Sequence, residues 1–246
     1  MKSIGFSEIV SIDPFSTSVG TALEMQLGEV FTADSRIFRY ALASSAGVNP
    51  GKLGLAPAPK TNHHNNTAIA SAAGTYTPTF TIGATAVVAN EYVEGYVMVN
   101  VTPDVGRTYK IAKLDAVSSS GTANPTLSEP IVTAWTTATR VSLVHNPYSN
   151  VVEAASATRR GAGVPLVATS SSASTCYFAQ TRGTASVLAD QTIALGSRLG
   201  PSASVAGAVV ADSGTYTTSV VTTPVGVASI MAGVDTEYRP VFLTLD

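Results

Sequence analysis

Apolar and polar residues trade places in short runs along most of this chain. In Tyr96-Val97-Met98-Val99-Asn100-Val101 and in Thr108-Tyr109-Lys110-Ile111-Ala112-Lys113-Leu114 the alternation has a period near two. That period marks a strand with one buried face. Pro103-Asp104-Val105-Gly106 lies between them and carries turn chemistry, so a hairpin is expected. Comparable runs predict strands over Thr79–Ile82, Gly95–Val101, Arg107–Leu114, Leu127–Val132 and Arg140–Val144. Two more flank Asp34-Ser35, with Phe31 before the turn and Ile37, Phe38, Tyr40 and Leu42 after it. Further along, Val164–Ala168, Cys176–Gln180, Thr184–Leu188, Val205–Val210, Tyr216–Val221, Val225–Met231 and Val241–Leu245 all read as strands. They are short and punctuated by Gly, Ser and Asp, which is the spacing of a barrel or sandwich. One weak helix is predicted, over Ser18–Leu27, and Gly20 interrupts it.

The predicted class is therefore all-β, with two small barrel or sandwich bodies behind an extended N-terminal arm. Residues 1–26 form the arm. Its apolar positions, Ile4, Phe6, Ile9, Ile12 and Phe15, recur without a period, and Asp13-Pro14 breaks the segment. Such positions suit docking onto a neighbour, or an edge strand of the chain's own domain. Residues 27–150 form a first β domain, 151–162 a small, polar linker, and 163–246 a second β domain.

Composition narrows the classes of function. Hydrophobic residues make up 45% of the 246, but charged residues only 12%, about half the usual share of roughly 25%. Thr, Ser, Ala, Val and Gly take their place, a mixture that favours pleated strands and turns over helices. So little charge suits a surface partly covered by neighbours, since few like charges keep copies apart. The net charge is −2 and the one adjacent basic pair is Arg159-Arg160, which argues against nucleic acid as a partner. No run of roughly 20 apolar residues is present to span a membrane, and no signal peptide is read at the N-terminus. The lone Cys176 sits in a strand-like run and reads as a buried, inert thiol.

No motif for catalysis or metal binding is complete in the sequence. Gly196-Ser197-Arg198-Leu199-Gly200 has its serine one position too early for a nucleophile elbow. Gly47-Val48-Asn49-Pro50-Gly51-Lys52-Leu53 lacks the spacing and hydroxyl of a phosphate loop. His63-His64 reads as a solvated polar loop, because adjacent side chains diverge in extended chain. His145 precedes Asn146-Pro147 and reads as a turn cap. Glu91 with Glu94, and Asp235 with Glu237, are paired carboxylates that read as solvated surface. Trp135 reads as core or interface. The expectation is a protein that is not an enzyme and carries no cofactor, metal or catalytic residue.

The order of phrases after residue 27 resembles the head-decoration, or capsid-cement, proteins of tailed bacteriophages. The lambda head-decoration protein belongs to that group. The resemblance lies mainly in the C-terminal body. It runs through Gly163–Leu166, Cys176–Ala179, Gly183–Asp190, Ile193–Gly196, Pro201–Gly207, Pro224–Ala228 and the final Val241–Leu245. Asp34–Ala41, Gly51–Leu53 and Glu94-Gly95-Tyr96 add weaker phrases in the first body. The resemblance implies a structural virion protein on the outer surface of the head, made in the host cytoplasm. It implies the major capsid protein as partner, a homotrimer, stabilisation of the expanded head, and no nucleic acid or membrane contact. The arm residues Ile4, Phe6, Ile9, Ile12 and Phe15 are the candidate contacts. The alternative function is a receptor- or glycan-binding module of a phage fibre.

Overall fold

In a computed structural model of the chain, residues 17–19, 25–171, 175–212, 224–229 and 236–246 are described. These residues are all-β and built on two antiparallel sheets. The strands begin with β1 (Thr17–Val19), β2 (Val30–Ala33), β3 (Arg36–Leu42), β4 (Gly54–Leu55), β5 (Asn66–Ala68) and β6 (Phe80–Thr81). They continue with β7 (Tyr96–Val101), β8 (Thr108–Lys113), β9 (Thr122–Ala123), β10 (Thr126–Leu127) and β11 (Arg140–Val144). The last are β12 (Gly161–Pro165), β13 (Thr175–Leu188), β14 (Arg198–Pro201), β15 (Val209–Ala211), β16 (Gly226–Ala228) and β17 (Tyr238–Thr244). One 3-10 turn, Thr61–His63, lies between β4 and β5. Where a helix was predicted from Ser18, Thr17–Val19 is strand instead, held by pairing with Thr175–Tyr177.

Two compact units divide the chain, but not at the expected boundary. Unit 2 is Pro57–Ser149, and unit 1 joins Met1–Ala56 to Asn150–Asp246. The reading of 27–150 as one domain, 151–162 as linker and 163–246 as another is corrected accordingly. Its failure has a physical cause: β3 pairs along Cys176–Arg182 of β13, some 140 residues away, and local pattern cannot show such a partner. The presumed linker is part of the fold. Val151 bridges Ala43, and Val152 bridges Leu55. That second bridge joins the chain just before unit 2 to the chain just after it, so unit 2 is an insertion in the sequence of unit 1.

In unit 1, β13 is the central strand. Gln180 pairs with both Val164 of β12 and Phe38 of β3, so those two strands lie on opposite edges. β17 pairs with Arg182–Leu188 on the edge that β3 leaves free, and β16, β14 and β15 follow outward. The handover from β3 to β17 needs Gly183. Its φ is 87°, and a Cβ there would lie 3.0 Å from Ser35 O. Arg39 and Asp246 close the same junction with an ion pair of 2.9 Å. The main core gathers Leu53, Leu55, Val164, Val187, Leu199, Val209, Val241 and Leu243. A smaller cluster gathers Phe38, Tyr40, Cys176 and Phe178, with Phe31 packed edge-on against Phe178.

Unit 2 is a seven-stranded sheet in the order β10-β8-β7-β11-β5-β6-β9. The alternation seen in the sequence sets its register: Val97, Val99, Tyr109, Ile111, Val141 and Leu143 face a core that holds Phe80, Tyr92 and Trp135. Full burial of aromatic and branched side chains is the main stabilising term, about 1.5–3 kcal/mol for each large one.

Candidate functional site

The outward face of unit 1's sheet carries the most distinctive exposed arrangement. Register places Arg198 of β14 beside Val227 of β16, Val227 beside Phe242 of β17, and Phe242 beside Thr184 of β13. Alternate residues of the same strands, Leu199, Val241, Leu243 and Ala185, turn into the core. The row Arg198–Val227–Phe242–Thr184 must therefore face outward, because side chains alternate along strands. Phe242 is 44% and Val227 37% exposed. Arg182 lies one step along β13, opposite Thr244, and Ser186 lies opposite Pro240 on the other side. Exposed Arg182 and Arg198 hold no ion pair among the described residues. The face is thus an aromatic and aliphatic centre between two guanidinium groups, rimmed by hydroxyls.

Unit 2 holds several titratable groups inside. His63 is completely buried, which corrects its reading as a solvated loop residue. Its Nε2 lies 2.8 Å from Thr85 O, an acceptor, so Nε2 carries the proton. Nδ1 then accepts from Tyr92 Oη at 2.6 Å. Tyr92 stacks on His145 with ring centroids 4.1 Å apart. His145 Nε2 lies 3.3 Å from Glu91 Oε1, and Lys60 Nζ reaches the same oxygen at 2.5 Å. Glu91 Oε2 accepts from Val88 N–H at 3.0 Å. Burial alone would raise the Glu91 carboxyl, but His145, Lys60 and the Val88 amide outweigh it and hold it at about 2. Burial pushes the Tyr92 hydroxyl well above its ordinary range.

A second network lies under the β7–β8 hairpin. Asp104 sits at φ 73°, in the left-handed region that aspartate tolerates. Its buried side chain accepts from Tyr109 Oη at 2.5 Å and from Trp135 Nε1 at 3.1 Å. Arg107 Nε lies 3.0 Å from its other oxygen. Tyr109 Oη in turn accepts from Val132 N–H at 3.0 Å. Burial, then the bond to Asp104, raises the Tyr109 hydroxyl. An open cavity of about 290 Å³ adjoins this network, lined by Gly106, Arg107, Thr108, Tyr109, Glu129 and Val132.

Among the remaining candidates, Cys176 is buried in the Phe178 cluster, in keeping with an inert thiol. Arg159 donates to Ala56 O and so closes a loop of unit 1. Trp135 is core, as one of its two readings had it. Among the described residues, no three His, Cys, Asp or Glu side chains are grouped to hold a metal ion. No helix there is long and apolar enough to cross a membrane. Ile4, Phe6, Ile9, Ile12, Phe15 and Asp235 lie outside the described residues. Sequence reasoning missed the outward row of unit 1. Its sign was present in the alternating Arg182, Thr184 and Ser186 and in the aromatic Phe242 of an otherwise core-forming strand, but the strands that complete it pair far apart in sequence. Compared with protein-family models, with curated proteins and with solved structures, the chain finds no match in any of the three.

Proposed function

We propose that this chain is a structural virion protein that binds the outside of a tailed-phage capsid lattice and stabilises the expanded head. One observation carries the reading. The phrases behind the resemblance, far apart in sequence, fall on β12, β13, β14, β16 and β17, which are neighbours in one sheet. Ile193–Gly196 and most of Pro201–Gly207 lie in the turns between these strands, and the shared sheet supports the reading. A cement protein needs rigid units and an exposed, low-charge contact face. It works by binding the expanded lattice more tightly than the unexpanded one, and so shifts the lattice toward the state it prefers. Many copies multiply modest contacts. The arm residues Ile4, Phe6, Ile9, Ile12 and Phe15 are proposed to add a contact to a neighbouring subunit, where an extended segment gains backbone hydrogen bonds with little demand on sequence. The proposed copy number is three, as a homotrimer, without nucleic acid, membrane, cofactor or catalysis.

The test is co-sedimentation of purified protein with heads of its virus before and after expansion, with sedimentation velocity of the free protein alongside. The reading expects a trimer that pellets with expanded heads and delays their thermal rupture. Binding to host surface polysaccharide, with no binding to heads of either form, would establish the fibre-module reading instead.

A further inference from the structure

The outward row of unit 1 identifies what kind of surface covers it, independently of the capsid reading. Phe242, Val227 and half-buried Pro240 form an apolar centre. Aromatic residues and arginine are the types most enriched where protein interfaces carry their binding energy. Arg198 on β14 and Arg182 on β13 stand on either side of that centre. Three strand steps and a two-residue offset along β13 separate them, or about 16 Å at the usual spacings. One phosphate or one carboxylate cannot bridge that gap. Covering the arginines with a neutral surface would strip them of water and leave them unpaired, which opposes association. The occupant must therefore present carboxylates at both ends and apolar side chains between them. Two isolated cations are too sparse for a nucleic-acid track, which needs a continuous run of basic contacts.

A second copy of this chain answers the charges poorly. Along these strands and their border the described acidic residues are Asp212 beside Arg198, Asp190 bonded by Ser202, Glu237 paired to Arg239, and Asp246 paired to Arg39. Two-fold pairing would offer the arginines of each face only carboxylates that already hold contacts in their own chain. We infer that this face is the docking site for an acidic protein surface with an apolar centre, belonging to a different chain.

The probe is immobilised random copolymer of glutamate and tyrosine, with poly-glutamate and single-stranded oligo-thymidine as the other arms. The full chain is applied in each case, and sedimentation velocity records self-association. The copolymer is expected to bind more tightly than poly-glutamate, and binding should fall with salt. Phe242→Ser should weaken copolymer binding about tenfold, as should Arg198→Glu, whereas Arg160→Glu, the same charge change away from the face, should not. Thr184→Glu, at an exposed site with no core contact to lose, should weaken it in the same direction and guards against misfolding of the Phe242 variant. The inference is overturned if the wild type ignores the copolymer, or if the face variants bind like the wild type. It is equally overturned if oligo-thymidine binds through the same residues, or if Phe242→Ser acts by dissolving a self-association of this chain.

Discussion

The two units solve the same problem, a β sheet with one wet face, with different sets of polar side chains. Unit 2 folds its polar heads inward. Tyr109, Trp135 and Asp104 satisfy one another beneath a hairpin, and His63, Tyr92, His145, Glu91 and Lys60 form a chain from the core to the rim. Unit 1 has a core of small and branched apolar residues, and its Arg182 and Arg198 are turned outward around Phe242. Its most buried tyrosine, Tyr177, has a hydroxyl with no hydrogen-bond partner in the structure. Both units expose apolar side chains, Tyr96, Met98 and Val144 on unit 2 and Val227 and Phe242 on unit 1, but those of unit 1 lie between two arginines without an ion pair among the described residues. On the proposed reading the docking face lies on unit 1, and unit 2 is an insertion in its sequence.

The largest blow to that contrast is Trp135→Ala. It removes a fully buried ring and the donor to Asp104, and is expected to destabilise unit 2 by about 3–5 kcal/mol. Hydrogen exchange should show β7, β8 and β11 losing protection while β13 and β17 keep theirs. Loss of protection in both units together would show that they do not unfold separately. Next in size is Tyr109→Phe, which removes the donor to Asp104 and the acceptor for Val132 N–H. Urea unfolding should register about 1–3 kcal/mol.

Acid offers a subtler test. Folding lowers the Glu91 carboxyl from its ordinary 4.5 to about 2. The folded state thus binds this proton more weakly than the unfolded chain does. The stability it contributes is complete above pH 4.5 and is lost as pH falls toward 2. Glu91→Gln should flatten unit 2's stability profile across that window and leave unit 1's unchanged. A profile of unchanged slope would remove Glu91 from the account. The smallest effect belongs to Tyr177→Phe, which deletes a hydroxyl with no hydrogen bond to lose and should change the unfolding free energy from urea titration by less than about 1 kcal/mol.

Local structure was largely legible in the chain, and long-range structure was not. The β7–β8 hairpin and β11 lie where alternation placed them, and β2 and β3 flank Asp34-Ser35 as expected. β13 was read as two strands because Gly183 looks like a break; its φ instead lets one strand pass from one partner to the next. β14, Arg198–Pro201, was missed because Gly200 and Pro201 read as turn. His63 gave no sign of burial, since Thr61, Asn62 and His64 around it are polar and the 3-10 turn has no strand period. The docking face was beyond reach for a related reason: its four strands are drawn from residues 182 to 244, and only their pairing brings Arg182, Arg198, Val227 and Phe242 together.

Under the proposed capsid reading, the most direct test compares three chains against expanded phage heads that lack this protein. Wild type is predicted to pellet with the heads, Phe242→Ser combined with Arg198→Glu to stay in the supernatant, and Tyr96→Ser, on the exposed face of unit 2, to pellet like wild type. Retention of the unit 1 double variant on the heads, or loss of the Tyr96 variant, would contradict the assignment of recognition to unit 1.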